Sequence, residues 1–333
     1  MLRVAINGFG RIGRVAAKIM QKHSELELVA VNDLGDAVTL AHLLKYDTVY
    51  GRYEGLISAN DNIITIDGKS VVVLSEKEPD KLPWGEYQID VVIEATGKFT
   101  KKDDAAKHLQ AGAKAVVISA PSKGENPAPT FLRGVNDNKL SDEQIINNAS
   151  CTTNSIAPAI QVLEEVFGVE RALMTTVHGY TSTQHIQDGP HKDLRRGRAA
   201  AANIIPTSTG AAVATTEAIP TLKGRFDGLA LRVPVINGSL SDITAVLKKE
   251  ASVDEVNAAF IAAASTERYQ GVLTVTNEPI VSSDIIGDSH SATIDLELTR
   301  VNGNLVKVFV WYDNEFGYAS RLVEMVERLG AHD

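Results

Sequence analysis

The fold is decided by residues 3–14, which read RVAINGFGRIGR. Their first part is a short apolar segment that predicts a β-strand, and it leads into G-x-G-x-x-G, formed by Gly8, Gly10 and Gly13. A helical pattern continues to residue 20. Glycines between a strand and a helix N-terminus let the backbone approach a pyrophosphate closely. The stretch therefore predicts a dinucleotide-binding unit.

An acidic residue completes this fingerprint. Residues 26–32 predict a second strand that ends at Asp33, 20 residues beyond Gly13. A carboxylate at this place accepts hydrogen bonds from the adenosine ribose hydroxyls and repels a 2′-phosphate. We therefore expect NAD, rather than NADP, as the cofactor.

The rest of the first half continues the alternation of strands and helices. Buried-type strands are predicted at 90–97 and 115–121, with a helix over 105–112 between them. This order predicts a parallel sheet with right-handed crossovers. Ser119 lies at the carboxyl end of its strand, where ligands of such sheets bind, so it is either a cofactor contact or a turn residue.

The second half opens on the only cysteine of the chain, Cys151, within NASCTTNS at 148–155. A single thiol forms neither an internal disulfide nor a cysteine-rich metal site, which leaves an inert buried residue or a nucleophile. Helical spacing over 156–167 places the thiol at a helix N-terminus, where backbone N–H groups favour the thiolate. We interpret Cys151 as a nucleophile and expect no metal site.

A nucleophilic thiol needs a base, and imidazole is the usual one. Of the eight histidines, His178 ends a predicted strand over 171–178 and has small neighbours, whereas His185 and His191 lie in a polar loop. We therefore prefer His178, although its proximity to Cys151 depends on the fold and not on spacing. Three further histidines are predicted to be solvated surface residues: His23, His108 and His332.

Polar residues of the second half suit phosphate groups. The stretch 180–210 is long and polar, with arginines at 195, 196 and 198 and the sequence PTSTG at 206–210. Arginine side chains and Thr-Gly amides bind phosphates, but a basic surface loop at a subunit contact is the alternative. Arg232 lies within an apolar strand, where a charge is costly without an anion partner.

The remaining segments predict a second, different sheet. Alternating strands indicate an antiparallel sheet with one covered face. We therefore expect an α/β protein, with a Rossmann-type doubly wound parallel sheet plus an α+β catalytic domain with a mostly antiparallel sheet. The strands are predicted at 229–235, 242–247, 292–298 and 305–312, and helices at 252–265 and 320–329.

Composition and charge exclude several classes of protein. The 333 residues carry a net charge of −9, which argues against dedicated nucleic-acid binding. One cysteine in so long a chain fits a reducing compartment. We identify no secretory signal and no apolar stretch long enough to span a bilayer. The expectation is a cytoplasmic protein without a membrane partner.

Six motifs of the chain occur together in one known family. They are AINGFGRIGR at 5–14, LLKYD at 43–47, ASCTTN at 149–154, PHKDLRR at 190–196, NIIPTSTGAA at 203–212 and WYDNE at 311–315. With them the chain resembles phosphorylating glyceraldehyde-3-phosphate dehydrogenase over essentially its whole length. The resemblance implies a homotetramer with an NAD-binding domain over 1–150 plus 314–333 and a catalytic domain over 151–313.

The resemblance also implies the reaction and the residues that perform it. Glyceraldehyde 3-phosphate is oxidised by NAD and phosphorylated to 1,3-bisphosphoglycerate, through a thiohemiacetal and a thioester on Cys151, with His178 as the base. Inorganic phosphate is implied to bind Ser150, Thr152, Thr209 and Gly210. The phosphate of the substrate is implied to bind chiefly Thr181, Arg196 and Arg232. The implied cofactor contacts are Arg11, Ile12, Asp33, Lys77, Ser119 and Asn314, with Asn314 holding the nicotinamide amide.

Three other functions compete with this interpretation. Erythrose-4-phosphate dehydrogenase shares the scaffold and hydrolyses its acyl-enzyme, but the Thr209-Gly210 pair and Arg196 favour the phosphorylating reaction. A binding protein for RNA or other proteins is disfavoured by the complete catalytic set and the net negative charge. A redox sensor that uses Cys151 is a side function open to any reactive, exposed thiol.

Overall fold

Residues 1–331 are described by a computed structural model, and their contacts divide the chain into two units. The first unit comprises Met1–Phe131, Lys139–Ala149 and the chain from Ala319 onward, and the second comprises Leu132–Asn138 and Ser150–Tyr318. These bounds follow from packing. The predicted functional division, 1–150 plus 314–333 against 151–313, stays a prediction, and its last two residues lie outside the described part of the chain.

The first unit is built on an eight-stranded sheet with a separate two-stranded ribbon. Its helices are α1 (Arg11–Met20), α2 (Ala37–Lys45) and α3 (Lys102–Gln110). Its strands are β1 (Leu2–Asn7), β2 (Leu26–Asn32), β3 (Tyr46–Asp47), β4 (Gly51–Arg52), β5 (Ile57–Asn60), β6 (Ile63–Ile66), β7 (Lys69–Leu74), β8 (Val91–Glu94), β9 (Ala115–Ile118) and β10 (Ile145–Asn147).

The strand order of this sheet is β10-β9-β8-β1-β2-β7-β6-β5. Neighbours from β10 to β7 are parallel, and β6 and β5 add an antiparallel edge. The inner strands are apolar on both faces, and Val4, Ala5 and Ile6 of β1 are fully buried, as a parallel sheet covered on both sides requires. The chain runs outward in both directions from β1, so the point where strand order reverses lies at its carboxyl end.

The second unit is built on a seven-stranded sheet. Its helices are α4 (Cys151–Phe167), α5 (Ala211–Ala218) and α6 (Val253–Ala264), and α7 (Phe316–Gly330) begins in it. Its strands are β11 (Val169–Gly179), β12 (Ile205–Ser208), β13 (Phe226–Val233), β14 (Ser239–Leu247), β15 (Leu273–Thr276), β16 (Ala292–Asn302) and β17 (Leu305–Tyr312).

The strand order of the second sheet is β12-β13-β11-β14-β17-β16-β15. Four of its six pairs are antiparallel, whereas β11 pairs with β13 and β15 pairs with β16 in parallel. Helix α4 packs against β14, β16 and β17 and buries Ile156, Ile160 and Leu163 completely. The predicted fold class is confirmed. The alternation of residues predicted neither the parallel pairing of β11 with β13 nor that of β15 with β16.

One histidine assignment from the sequence is wrong. His108 is fully buried: its Nδ1 accepts a hydrogen bond from Trp84 Nε1 at 2.9 Å, and its Nε2 lies 3.0 Å from a carboxylate oxygen of Glu94. Burial of an imidazole is tolerable when both ring nitrogens are satisfied, and these partners lie 24 and 14 residues away in sequence. His332, also predicted to be a surface residue, lies outside the described residues.

Candidate active site

The thiol lies at the first residue of α4. Ser150 is the N-cap, with extended backbone, and its Oγ accepts a hydrogen bond from the Thr153 N–H at 3.1 Å. Immediately before it, Ala149 has φ +50°, a left-handed conformation that costs a non-glycine residue roughly 1–2 kcal/mol. The N–H of Ala149 donates a hydrogen bond to Asn147 Oδ1 at 3.0 Å. The sharp turn and the cap together set Cys151 at the helix N-terminus, as predicted.

A histidine faces this thiol. Cys151 Sγ lies 3.4 Å from His178 Nε2, and the Nδ1 of the same ring lies 2.6 Å from the Gly179 carbonyl oxygen. Arg232 Nη1, which only donates, also lies 2.9 Å from this Nδ1, but the same Nη1 is 2.9 Å from the Gly179 carbonyl oxygen and has its acceptor there. The carbonyl oxygen only accepts, so we assign the imidazole proton to Nδ1. The Nε2 lone pair then points at the thiol and is able to take its proton. The structure thus brings together the two residues predicted as nucleophile and base.

Arg232 is the third member of this cluster. In the parallel pairing of β11 and β13 it lies opposite His178, and its Nη1 donates to the Gly179 carbonyl oxygen at 2.9 Å. Its Nε is buried and has no hydrogen-bond partner among residues 1–331. A half-buried guanidinium whose buried Nε donor is unused suits an anion, because a buried polar group without a partner is costly.

Burial dominates the protonation of the cluster. It raises the pKa of the Cys151 thiol, while the positive charge of Arg232 acts in the opposite direction. Burial and, second to it, the positive charge of Arg232 together lower the pKa of His178 to about 3. Burial lowers the pKa of Arg232 itself, and the nearby charge of Arg196 contributes to this shift. The raised pKa of the thiol opposes the thiolate preference expected from the helix N-terminus alone.

Two residues of the site were missed by sequence reasoning. The Tyr312 hydroxyl lies 2.9 Å from Thr152 Oγ1 and 2.7 Å from Thr176 Oγ1, and the Tyr312 ring meets His178 edge-on with centroids 6.0 Å apart. Burial raises the pKa of this phenol. Tyr312 lies within the WYDNE motif, which was the available signal, whereas nothing in the sequence distinguishes Thr176 from its neighbours.

Hydrogen bonds within the polar loop 180–210 fix the side chain of Arg196, one of the predicted phosphate ligands. Arg196 donates from Nε to Thr207 Oγ1 at 2.7 Å and from Nη2 to the Ser208 carbonyl oxygen at 3.2 Å. Thr207 in turn donates to Asp193 at 3.1 Å. Thr181 is half-buried, with its hydroxyl 2.9 Å from that of Thr183. The loop therefore presents an oriented guanidinium rather than a mobile cation.

The Thr-Gly pair lies at another helix N-terminus. Gly210 is the N-cap of α5, which has no side-chain cap, and a Cβ added to Gly210 would meet no atom within 4 Å. Thr209 Oγ1 accepts a hydrogen bond from the Ala211 N–H at 3.2 Å. An open, uncapped helix start with a neighbouring hydroxyl is suited to an oxyanion.

The glycine turn of the first unit leaves room for a pyrophosphate. Gly8 has φ +96°, and a Cβ on it would lie 2.6 Å from the Thr96 nitrogen; a Cβ on Gly13 would lie 2.3 Å from the Gly8 carbonyl oxygen. Gly10 is the N-cap of α1, with no side-chain cap and open space where its Cβ would lie. The turn is compact on one side and open on the other, so its residues fit the phosphates of NAD.

The predicted cofactor residues of the first unit occupy the turn and the carboxyl ends of its parallel strands. Asp33 follows β2 and accepts a hydrogen bond from the Phe9 N–H at 2.8 Å. Arg11 Nη1 donates a hydrogen bond to a carboxylate oxygen of buried Asp47 at 2.8 Å. Ile12, the next residue of α1, is half-buried. Beyond these, Lys77 follows β7 and is exposed, and Ser119 follows β9 and is half-buried.

The last predicted cofactor residue, Asn314, belongs to the second unit. It follows β17, is 5% exposed and accepts a hydrogen bond from Ser239 Oγ at 2.8 Å. Residues 1–331 contain no group of three or more His, Cys, Asp or Glu side chains arranged to hold a metal ion. The same residues include no helix with the length and apolar character that crossing a membrane requires.

The chain is similar to known proteins along nearly its whole length. Residues 2–102 match a family model described as glyceraldehyde 3-phosphate dehydrogenase, NAD binding domain, and residues 150–314 match the C-terminal domain of the same family. Glyceraldehyde-3-phosphate dehydrogenase of Streptomyces coelicolor is 54% identical over 99% of this chain and 98% of that protein. Its counterpart in Geobacillus stearothermophilus is 53% identical over 97% of both chains. The chain therefore belongs to the glyceraldehyde 3-phosphate dehydrogenase family.

Proposed function

We propose that this protein oxidises D-glyceraldehyde 3-phosphate with NAD and phosphorylates it to 1,3-bisphosphoglycerate, a step of glycolysis and gluconeogenesis. The observation that carries the proposal is the thiol of Cys151 at 3.4 Å from the His178 Nε2, beside a guanidinium with an unused donor on Arg232. A nucleophile, a base and an anion ligand in one cluster suit an aldehyde that bears a phosphate. Relatives of this chain carry the corresponding name.

In the first step, Sγ of Cys151 attacks the aldehyde carbon, and the thiol proton passes to Nε2 of His178. The C–S bond forms as the carbonyl π bond becomes an oxyanion. The N–H of Cys151 at the start of α4 and the protonated imidazole stabilise this oxyanion. The imidazole then gives its proton to the oxyanion, which forms the hydroxyl of the thiohemiacetal and leaves His178 neutral. The phosphate of the substrate is held chiefly by Thr181, Arg196 and Arg232.

The second step oxidises the thiohemiacetal to a thioester. NAD, when bound, accepts the hydride from the substrate carbon. His178 takes the hydroxyl proton, so the carbon–oxygen double bond re-forms while the C–S bond is kept. A thioester retains the free energy of aldehyde oxidation, which hydrolysis would dissipate.

In the last step, inorganic phosphate attacks the thioester carbon, and the sulfur of Cys151 leaves as the acyl phosphate is released. This phosphate takes a second anion position, and the open start of α5 supports it. The residues assigned to the second position are Ser150, Thr152, Thr209 and Gly210. Two anion positions around one thiol account for the number of donors in this part of the chain.

The first unit is assigned to NAD and the second to catalysis, with boundaries near 150 and 314. In the first unit, Gly8, Gly10 and Gly13 accommodate the pyrophosphate together with Arg11 and Ile12. Asp33 accepts the adenosine ribose hydroxyls, and its charge disfavours NADP. Lys77 and Ser119 lie at carboxyl ends of strands, the usual position of ligands on open α/β sheets. Asn314 holds the nicotinamide amide.

A cytoplasmic homotetramer is part of the proposal. The second sheet leaves large apolar residues uncovered on one face: Leu173 is 66% exposed on β11 and Leu305 is 42% exposed on β17. Apolar surface of this kind is typical of subunit contacts.

Light scattering on the purified protein should give four times the chain mass of 35.8 kDa, and a monomer mass at micromolar concentration would contradict the tetramer.

The reaction is tested by following NADH formation from glyceraldehyde 3-phosphate and NAD, with and without inorganic phosphate. We expect sustained turnover only with phosphate, because the thioester is resolved by phosphate and not by water. Arsenate serves as the control, since it replaces phosphate as the attacking anion and should restore turnover. Equal turnover without either anion would mean that water resolves the thioester, as erythrose-4-phosphate dehydrogenase would do.

A further inference from the structure

A buried serine connects the catalytic histidine's strand to Asn314. Ser239 is the first residue of β14 and is 1% exposed. Its Oγ accepts a hydrogen bond from the Gly179 N–H at 3.2 Å, and its hydroxyl donates to Asn314 Oδ1 at 2.8 Å. Gly179 directly follows His178, so one hydroxyl joins the backbone beside the base to an amide 75 residues away in sequence.

The donors and acceptors around the Ser239 hydroxyl fix the orientation of the Asn314 amide. The backbone N–H of Gly179 only donates, so the single proton of the Ser239 hydroxyl is available for Asn314. If the amide were rotated by half a turn, its Nδ2 would face Ser239. The hydroxyl would then receive two donors, and its own proton would be buried without an acceptor. Ser239 therefore holds Oδ1 of Asn314 toward itself.

The other end of the amide is consequently a donor. Asn314 is 5% exposed, and its Oδ1 is the atom that Ser239 binds. The two polar atoms of a primary amide lie in one plane on different branches of the group, so Nδ2 is left for another partner. Its N–H groups match a ligand acceptor, and a carboxamide oxygen is the acceptor that the nicotinamide ring carries.

The backbone around Asn314 does not depend on Ser239. Asp313 accepts hydrogen bonds from Asn237 Nδ2 at 2.9 Å, from the Gly287 N–H at 2.8 Å and from two backbone N–H groups at the start of α7. This set anchors the loop from the side of Asp313. Removal of the Ser239 hydroxyl should therefore release the Asn314 amide and leave the loop in place.

We infer that Ser239 is a positioning residue for the nicotinamide, which it orients by holding the Asn314 amide with its N–H donor toward the carboxamide oxygen. The inference rests on the proposed function and deepens it. The carboxamide determines which face of the nicotinamide ring is turned to the substrate carbon. The same hydroxyl accepts a hydrogen bond from the Gly179 N–H, next to His178. Ser239 therefore fixes the position of the Asn314 amide relative to the base.

The test compares binding of NAD with binding of ADP-ribose, which lacks the nicotinamide, by isothermal titration calorimetry. In Ser239→Ala we expect the Kd for NAD to rise about fivefold to tenfold, the effect of one lost hydrogen bond, and the Kd for ADP-ribose to stay unchanged. Asn314→Ala should give a similar rise, and the double variant should be no weaker than either single variant, because the two residues act as one unit.

A matched control lies two residues along the same strand. Ser241 is fully buried, and its Oγ has no hydrogen-bond partner within residues 1–331. Ser241→Ala removes the same group from β14 without touching Asn314, and it should leave both Kd values and the thermal melting temperature of the protein unchanged. Equal weakening of NAD and ADP-ribose by Ser239→Ala, or no weakening of NAD, would overturn the inference.

A second readout reports the orientation of the ring. With NAD and a deuterated aldehyde substrate, the label in the product NADH should appear on one face at C4 in the wild type. In Ser239→Ala a measurable fraction should appear on the other face. Unchanged stereospecificity together with unchanged binding contradicts the role of Ser239. Absence of turnover in the wild type would instead refute the proposed function, which the binding experiment does not require.

Discussion

Cys151→Ser is expected to abolish turnover, with kcat falling by more than about 10⁴-fold, the size of effect seen when the nucleophile is removed from residues that act as a unit. A serine hydroxyl holds its proton far more tightly than a thiol, and the neutral acceptor at 3.4 Å, His178 Nε2, is not a strong enough base to remove it. NADH formation under saturating substrate and phosphate measures the loss.

The control for this variant is cofactor binding. Cys151 is half-buried at the start of α4, and the N-cap bond from Ser150 does not involve it, so the serine variant should fold and bind NAD with unchanged Kd. Turnover within tenfold of the wild type would refute the thioester mechanism. If the wild-type thiol were oxidised readily while the protein showed no turnover with any aldehyde, the redox-sensor interpretation would replace the thioester mechanism.

His178→Asn is expected to lower kcat by about 10²- to 10⁴-fold, the usual contribution of a positioned general base. Asparagine preserves a polar side chain on β11 but has no nitrogen lone pair to accept the thiol proton from Cys151. Burial would still raise the pKa of the thiol, now without an acceptor nearby. The rate of NADH formation and the rate of Cys151 alkylation by iodoacetamide should therefore fall together.

The matched control for this variant is His42→Asn. His42 is an exposed histidine of α2 in the first unit, and the same substitution there should change neither rate. The Kd for NAD should be unchanged in both variants. An undiminished kcat in His178→Asn would show that another group takes the proton. Slower turnover with unchanged alkylation would restrict His178 to the later steps.

Much of the fold follows from short-range patterns. The glycine turn after β1 lies as predicted, because three glycines and two flanking apolar segments leave the backbone few alternatives. The predicted helix over 252–265 is observed as α6, with Ser252 and Glu255 forming a capping box at its start. In both cases the residues that determine the element lie within it or a few residues from it along the chain.

Distant segments form the environments that the sequence does not reveal. The sequence predicts a surface position for His108, which is wrong, because Trp84 and Glu94 satisfy both of its ring nitrogens in the core. The pKa of Cys151 is not predictable from the sequence, in which the helix N-terminus is the one visible influence and favours the thiolate. In the folded chain its burial raises the pKa, against the charge of Arg232, and that burial depends on the packing around α4.

Local patterns in the chain were enough to predict the fold class, the dinucleotide turn and the place of Cys151 at a helix start, because periodicity, glycines and caps act over a few residues. The histidine that meets the thiol, and the residues beside it, depend on long-range packing. The parallel pairing of β11 with β13 puts Arg232 opposite His178, 54 residues away, and Ser239 reaches Asn314 across 75 residues. Such contacts leave no periodic trace in the chain, since sheet pairing and packing alone bring their partners together.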